Sequence, residues 1–250
     1  MDLDVSFYLI AAPAVLFAGI SKGGFGGGAA FAGSTLLALA LEPVQAVAMM
    51  LPLLMVMDLA AVRSYWGKWS PEHGRRLILG GLPGIAAGAV LFAVVSADVV
   101  RLLIGAVALG FVAYRIALSR GVLVLPTREV APVEGYFWGA MTGFTSFVSH
   151  AGGPPSAVYL LRVGLDKLTY QSTTVMVFWA VNASKMVVYL AMGLMLPQLW
   201  LAILTLVPVG LLGVALGVWA HKVVPEKLFF QVTYVLLTAT GVKLIFDALT

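Results

Sequence analysis

The chain has 250 residues, of which 61% are hydrophobic and only 10% are charged. Soluble domains carry roughly 45–50% apolar and about 25% charged residues, so most of this chain must be surrounded by lipid. Spanning helices of about 20 residues each would fill its length, which leaves no room for a soluble catalytic domain or a nucleotide-driven motor. The formal net charge of +4 comes from basic residues between apolar segments. That distribution indicates membrane topology and does not predict binding of nucleic acid.

Ten apolar segments follow one another along the chain. Their hydrophobicity is continuous and not alternating, which predicts helices and argues against a transmembrane barrel. The most hydrophilic stretch, 115–134, lies near the middle and is expected to link two halves. The segments lie at 5–20, 29–41, 44–62, 77–95, 99–118, 135–149, 155–165, 169–192, 198–220 and 228–249.

The first two segments are separated by a glycine-rich stretch at 22–28. One helix over 5–41 would be about 55 Å long, far more than the roughly 30 Å of a hydrocarbon core, so we expect a break there. The second half has a matching interruption at 149–155, within 135–165. Each half therefore begins with a broken helical pair.

The two halves repeat at an offset of about 126 residues. Gly26 and Gln45 of the first half correspond to Gly152 and Gln171 of the second. Several matches in one order and at nearly one spacing predict an internal duplication.

The basic residues predict how the broken pairs enter the membrane. Lys22, Lys185 and Lys243 are set aside because apolar sequence surrounds them, which leaves twelve of the 15 Lys and Arg. If each broken pair crossed the membrane once, these twelve would divide 7 to 5 between the two sides. If each pair returns to its own side, 11 lie on one side and Arg101 alone lies opposite. The positive-inside rule therefore favours returning hairpins.

We therefore predict an all-α polytopic membrane protein with two inverted repeats, each a broken re-entrant helical hairpin plus three transmembrane helices. The repeats form one membrane domain, with the first at 1–120, a cytoplasmic linker at 121–133 and the second at 134–250. The odd number of crossings inverts the second repeat, places both termini outside and brings the two breaks together near the middle of the membrane.

The two breaks hold the candidate binding residues. Glycines at helix N-termini expose backbone N–H groups to an anion, although close helix packing is the alternative explanation for them. Lys22 would add a positive charge unless it reaches the membrane surface. His150 could donate to an oxyanion, carry a proton or only cap the broken helix. The predicted substrate-binding residues are Lys22, Gly23, Gly24, Gly26, Gly27, Gly28, Gln45, Ser149, His150, Gly152, Gly153 and Gln171.

Other polar residues also lie within apolar segments. Asp58 precedes Arg63 by five residues, and we expect the two to pair near the inner surface. Lys185 could reach the outer surface or serve the function, and Asn182 lies one turn before it. The chain contains no cysteine, which excludes thiolate metal sites, and we predict neither a metal nor a cofactor.

The duplicated breaks resemble those of the sulfite exporter TauE/SafE family. The segments 19–28 and 146–155 carry the resemblance, which extends from residue 17 to about residue 249. It implies transport of a sulfur-containing anion, such as sulfite, thiosulfate or an organosulfonate, across the bacterial inner membrane. In this chain His150 stands where glycine is common in the family, and two glycines rather than three precede Pro154.

We interpret the chain as a secondary transporter that moves this small anion by alternating access. It contains no Walker, HEXXH or GXSXG motif, so we do not predict an enzyme. An anion-selective channel, a membrane scaffold and a hydrolase using Ser149 or Ser146 are the alternatives. Adjacent residues on a helix point about 100° apart, so Ser149 and His150 do not form a catalytic dyad. Facilitated, proton-coupled and sodium-coupled transport all stay open, and the oligomeric state is unknown.

Overall fold

The computed structural model describes residues 4–25 and 28–250, and these residues form ten α-helices. Seven of the ten, namely α1, α3, α4, α5, α8, α9 and α10, are long and apolar enough to span a membrane. The chain is therefore an all-α polytopic membrane protein, as predicted. The helices are α1 Val5–Gly24, α2 Phe31–Leu37, α3 Pro43–Tyr65, α4 Pro71–Val94, α5 Ala97–Ser119, α6 Pro132–Ser149, α7 Gly153–Val163, α8 Lys167–Ala191, α9 Pro197–Val223 and α10 Glu226–Leu249.

Local sequence explains where most helices begin. A proline occupies the first turn of α3, α4, α6, α7 and α9, where its fixed φ suits a helix and its missing N–H is not needed. α8 begins instead after Asp166, whose carboxylate accepts from the backbone N–H groups of Leu168 and Thr169 at 3.0 and 3.1 Å. Hydrogen bonding by Thr169 also holds the pKa of Asp166 below its ordinary value.

The first break lies later in the chain than predicted. α1 continues as a helix through Lys22 and Gly23 to its last residue, Gly24, and Phe25 follows as its C-cap. A Cβ added at Gly23 or Gly24 would overlap a backbone carbonyl of α9, so close packing against α9 accounts for both glycines. Gly26 and Gly27 lie outside the described residues.

The second break is shorter than predicted. α6 ends at Ser149, and His150 follows as its C-cap in the left-handed conformation, with φ of 60°. α7 begins at Gly153, so that Pro154 and Pro155 lie in its first turn. Neither proline has a backbone N–H, which leaves Gly153 as the only such donor among the first three residues of α7.

Both broken pairs fold back on themselves. In the first pair, a Cβ on Gly33 of α2 would lie 3.0 Å from the Cβ of Ala18 in α1, which is possible only if α2 returns along α1. In the second pair, Glu134 at the start of α6 forms an ion pair with Arg162 at the end of α7, with 3.7 Å between oxygen and nitrogen. Each pair is thus a hairpin. Which membrane face each hairpin enters stays a prediction, because α1 alone is also long enough to cross.

The helices pair in a pattern that is preserved when the two halves exchange. The most extensive contacts join α4 to α6 and α1 to α9, and these two pairs correspond if α1–α5 is matched with α6–α10. The next pairs, α5 with α10 and α3 with α8, each join a helix to its own counterpart. This pattern is what a two-fold relation between repeats would produce. Inversion of the repeats and their boundaries at 1–120 and 134–250 stay predictions.

Candidate functional site

The two breaks lie next to each other in the structure. A Cβ built on Gly153 would be 3.0 Å from both the Cα and the carbonyl oxygen of Gly28. The Ser34 hydroxyl of α2 donates to the carbonyl of Ser149 at the end of α6, at 3.0 Å. The two hairpins therefore meet at their tips.

A cavity of about 570 Å³ borders these tips. Its walls also include side chains of α3, α5, α8 and α10. Among its described lining residues, two are basic and none is Asp or Glu, so the charge of the wall favours an anion. The lining includes Gly23, Gly24, Gly28, Gly153 and Pro154 at the tips, the basic residues Arg115 and Lys167, and the polar or aromatic residues Tyr65, Tyr114, Tyr170, Gln171, Thr174, Phe178 and Phe230.

Two residues of α10 hold Arg115 in place at the cavity wall. Its Nε donates to the Tyr234 hydroxyl at 3.1 Å, and its guanidinium carbon lies 4.4 Å from the centroid of the Phe230 ring. Both contacts come from α10, and they leave the two terminal nitrogens of the guanidinium available as donors. Lys167, the first residue of α8, is exposed. The sequence analysis used both residues only to assign membrane sides and missed them as cavity residues.

Lys22 is part of a buried ion pair. It forms an ion pair with Asp58, and the two side chains are only 8% and 2% exposed. Asn182 donates from Nδ2 to the other carboxylate oxygen of Asp58 at 2.7 Å. The Lys22 nitrogen lies 5.5 Å from the ring centroid of Phe178, which lines the cavity. Lys22 is therefore buried behind the cavity wall, with its charge balanced by Asp58.

The predicted pairing of Asp58 with Arg63 is wrong. Residues five apart on a helix point about 140° away from each other, so the side chains of Asp58 and Arg63 do not face each other. Asp58 faces α1 and α8 and is buried, whereas Arg63 is exposed.

Lys185 of α8 is fully buried beside the C-terminal end of α6 and does not reach the membrane surface. Its ammonium donates to the carbonyl and hydroxyl oxygens of Ser146, both at 2.9 Å, and lies 2.7 Å from Nδ1 of His150. Nε2 of His150 lies 2.9 Å from the carbonyl oxygen of Val47 on α3. His150 thus caps α6 with its backbone and links α3 to α8 with its ring.

The structure places other predicted residues away from the cavity wall. Gln45 lies in the first turn of α3 and does not line the cavity, whereas its repeat counterpart Gln171 does. The hydroxyl of Ser149 is buried and donates back into α6, to the carbonyl of Thr145 at 3.3 Å. A Cβ on Gly152 would lie 3.1 Å from atoms of Thr142 and Ser146, so Gly152 serves packing against α6.

Together these features define a multi-pass helical membrane protein with a basic cavity between two broken helical hairpins. The family model for the sulfite exporter TauE/SafE family matches residues 11–244, and the chain belongs to this family. The family is one of transport proteins, in agreement with the fold and with the predicted class. Searches of curated proteins and of solved structures found no match to this chain.

Proposed function

We propose that the chain is a secondary transporter that moves a small sulfur-containing anion, such as sulfite, thiosulfate or an organosulfonate, across the bacterial inner membrane by alternating access. The anion would occupy the cavity beside Gly28 and Gly153. The observation that carries the proposal is the charge of the cavity, which combines Arg115 and Lys167 with no carboxylate among the described lining residues.

The dimensions and chemistry of the cavity suit a hydrated oxyanion. Its volume of about 570 Å³ is many times the roughly 30 Å³ share of one water molecule, so an anion could enter with part of its hydration shell. Gln171 and the tyrosine hydroxyls can donate to oxyanion oxygens, and the glycine backbone lets a ligand approach closely. Lys22 contributes only indirectly, since Asp58 already balances its charge.

The proposal can be tested by adding bulk at a cavity glycine. A Cβ at Gly28 or at Gly110 would meet no atom within 4 Å, so neither site is crowded. Gly28 lines the cavity, whereas Gly110 is exposed on α5. Gly28→Leu should therefore fill part of the cavity, and Gly110→Leu is the matched control. Gly193, with φ of +68°, would be a poor control because a side chain there strains the backbone.

The purified protein is screened by thermal shift against sulfite, thiosulfate and methanesulfonate, since a ligand that binds the folded state raises the melting temperature. Flux of the anions that bind is then measured in proteoliposomes. We expect Gly28→Leu to lose both the shift and the flux while its melting temperature without anion stays near that of Gly110→Leu. Full binding and flux in Gly28→Leu would contradict the proposed site. No shift and no flux in the wild type for any of the three anions would contradict the proposed substrate class.

A further inference from the structure

The buried charges at the breaks leave one cation without a carboxylate. Lys22 is paired with Asp58, whereas the ion pairs of the described residues do not include Lys185. Lys185 is nevertheless fully buried. A charged ammonium has three N–H donors, and its three partners here are two oxygens of Ser146 and Nδ1 of His150. The geometry is thus complete for a protonated lysine, but only if Nδ1 accepts.

The other nitrogen of the His150 ring fixes which role Nδ1 has. Nε2 lies 2.9 Å from the carbonyl oxygen of Val47, which can only accept, so Nε2 must carry a hydrogen. In the neutral ring Nδ1 is then unprotonated and accepts from Lys185. If Nδ1 gained a proton, it would become a donor, and Lys185 would have to give up a proton in order to accept from it. At 2.7 Å, the two nitrogens cannot both be fully protonated and remain bonded.

We propose that Lys185 and His150 form a site for one proton, and that this proton is the one coupled to anion movement. The coupling of this proton to anion movement rests on the proposed function. With the proton bound, on Nζ or on Nδ1, the pair carries a charge of +1, and without it the pair is neutral. Because Lys22 and Asp58 cancel, the network of these four residues also changes from +1 to neutral. The proton is taken from, and released to, water on the side to which the site opens.

The surroundings of the pair contain few other charges. Lys22 of α1 and Asp58 of α3 are near enough to interact electrostatically with Lys185. Tyr189 of α8 is also buried nearby, but its hydroxyl donates to the carbonyl of Phe147 at 2.7 Å. α4 and α7 contact α6 and α8 as well. Their charged side chains in the described chain lie elsewhere, at the first turns of α4 (Glu72, His73, Arg75 and Arg76) and at the end of α7 (Arg162).

The pair lies close to the proposed anion path. His150 precedes the cavity residue Gly153 by three positions, and Lys22 lies against the cavity residue Phe178. A positive charge on the pair would therefore stabilise an anion in the cavity, and the anion would in turn favour binding of the proton. Coupling between two sites usually amounts to about 5- to 150-fold in affinity.

The proton site itself can be tested by nuclear magnetic resonance with 15N-labelled histidine in lipid nanodiscs. The chain has three histidines, and His150→Gln assigns the His150 signals. We expect an Nε2–H tautomer for His150, with Nδ1 unprotonated at high pH and a change in its signal as the pH is lowered and the pair takes up its proton. Lys185→Met should shift the pH of that change by at least about one unit, while His73 serves as an internal control and stays unchanged.

An Nδ1–H tautomer at high pH would overturn the proton site. So would a His150 signal that does not respond to pH, or one that does not respond to Lys185→Met. This experiment needs no anion, so its result does not depend on the proposed function.

Coupling is tested in proteoliposomes loaded with a pH dye, with thiosulfate as the probe because it takes up no proton near neutral pH. We expect thiosulfate entry in the wild type to acidify the interior by about one proton per anion, in line with a single-proton site. Any thiosulfate movement left in Lys185→Met or His150→Gln should occur without acidification. Thiosulfate entry without acidification in the wild type would overturn the coupling. Acidification that is unchanged in both Lys185→Met and His150→Gln would also overturn it. Absence of thiosulfate flux in the wild type, together with no flux of sulfite or methanesulfonate, would instead contradict the proposed function.

Discussion

The ion pair of Lys22 and Asp58 predicts a large and unusual pattern of stability changes. Asp58→Asn keeps the size of the side chain and an oxygen that can accept from Asn182, but it removes the negative charge beside Lys22. Since the Lys22 side chain is only 8% exposed, its ammonium would be left buried without a counter-charge. Breaking a buried pair by removing one partner costs about 3–5 kcal/mol. Lys22→Met should cost a similar amount, because it leaves Asp58 unpaired.

The double variant separates this explanation from a simple loss of packing. Lys22→Met with Asp58→Asn leaves no buried charge, and replacing a whole buried pair with neutral groups is often nearly neutral. If the two single changes were independent, their costs would add to about 6–10 kcal/mol. We expect the double variant to cost less than either single variant.

The free energy of unfolding is measured by denaturant titration in mixed micelles, with the melting temperature as a second readout. Arg128 and Glu134 provide a control, because they form an ion pair outside the seven spanning helices, with side chains that are 46% and 24% exposed. Arg128→Gln should change the stability by no more than about 1 kcal/mol. A cost below about 1 kcal/mol for Asp58→Asn, or additive costs in the double variant, would refute the role assigned to the buried pair.

Two further predictions concern the cavity and the membrane topology. Arg115→Gln should weaken binding of whichever anion shifts the melting temperature by about 10- to 150-fold, because a hydrogen bond to a charged group contributes about 1.5–3 kcal/mol. Arg120→Gln, at an exposed residue that does not line the cavity, should leave binding within about twofold in the same titration. Membrane topology is tested with single cysteines at exposed positions and an impermeant reagent added outside. The reagent should not label cysteines at Arg63, Arg128, Lys167 and Lys222. It should label those at Glu42, Asp98 and Gln198. Labelling at Lys167 together with protection at Glu42 would contradict the predicted sidedness.

The sequence predicts the helices and hairpins well because hydrocarbon imposes strong length limits. All ten apolar segments correspond to helices, and the interruptions between α1 and α2 and between α6 and α7 are both present. The hairpins could be predicted since a returning pair distributes basic residues far more unequally than a crossing pair. The approach of the two breaks to each other follows from the same reasoning, and the structure shows it where Gly153 lies against Gly28.

The roles of individual glycines could not be predicted, because a glycine next to a break can face either a ligand or another helix. Gly24 and Gly28 belong to the same glycine-rich stretch. A Cβ on Gly24 would overlap the backbone of Gly217 in α9, whereas a Cβ on Gly28 would meet open space. Only the position of α9, almost 200 residues further along the chain, distinguishes the two. Arg115 was missed as a cavity residue for a related reason, since Tyr234 and Phe230 of α10 hold it there.

The buried charges show most clearly what sequence can and cannot supply. The partners of Lys22 and Asn182 lie 36 and 124 residues away along the chain, so local spacing suggested Arg63 for Asp58 and gave no partner for Lys185. Part of the charge balance, however, is visible in the sequence: Lys243 has Asp247 one turn away, whereas Lys22, Lys185 and Asp58 are two cations and one anion surrounded by apolar sequence. Since an unpaired charge is costly in hydrocarbon, one of the two lysines must either find neutral acceptors or lose its proton. The structure shows that this residue is Lys185, and that one of its three acceptors, His150, is itself able to take the proton.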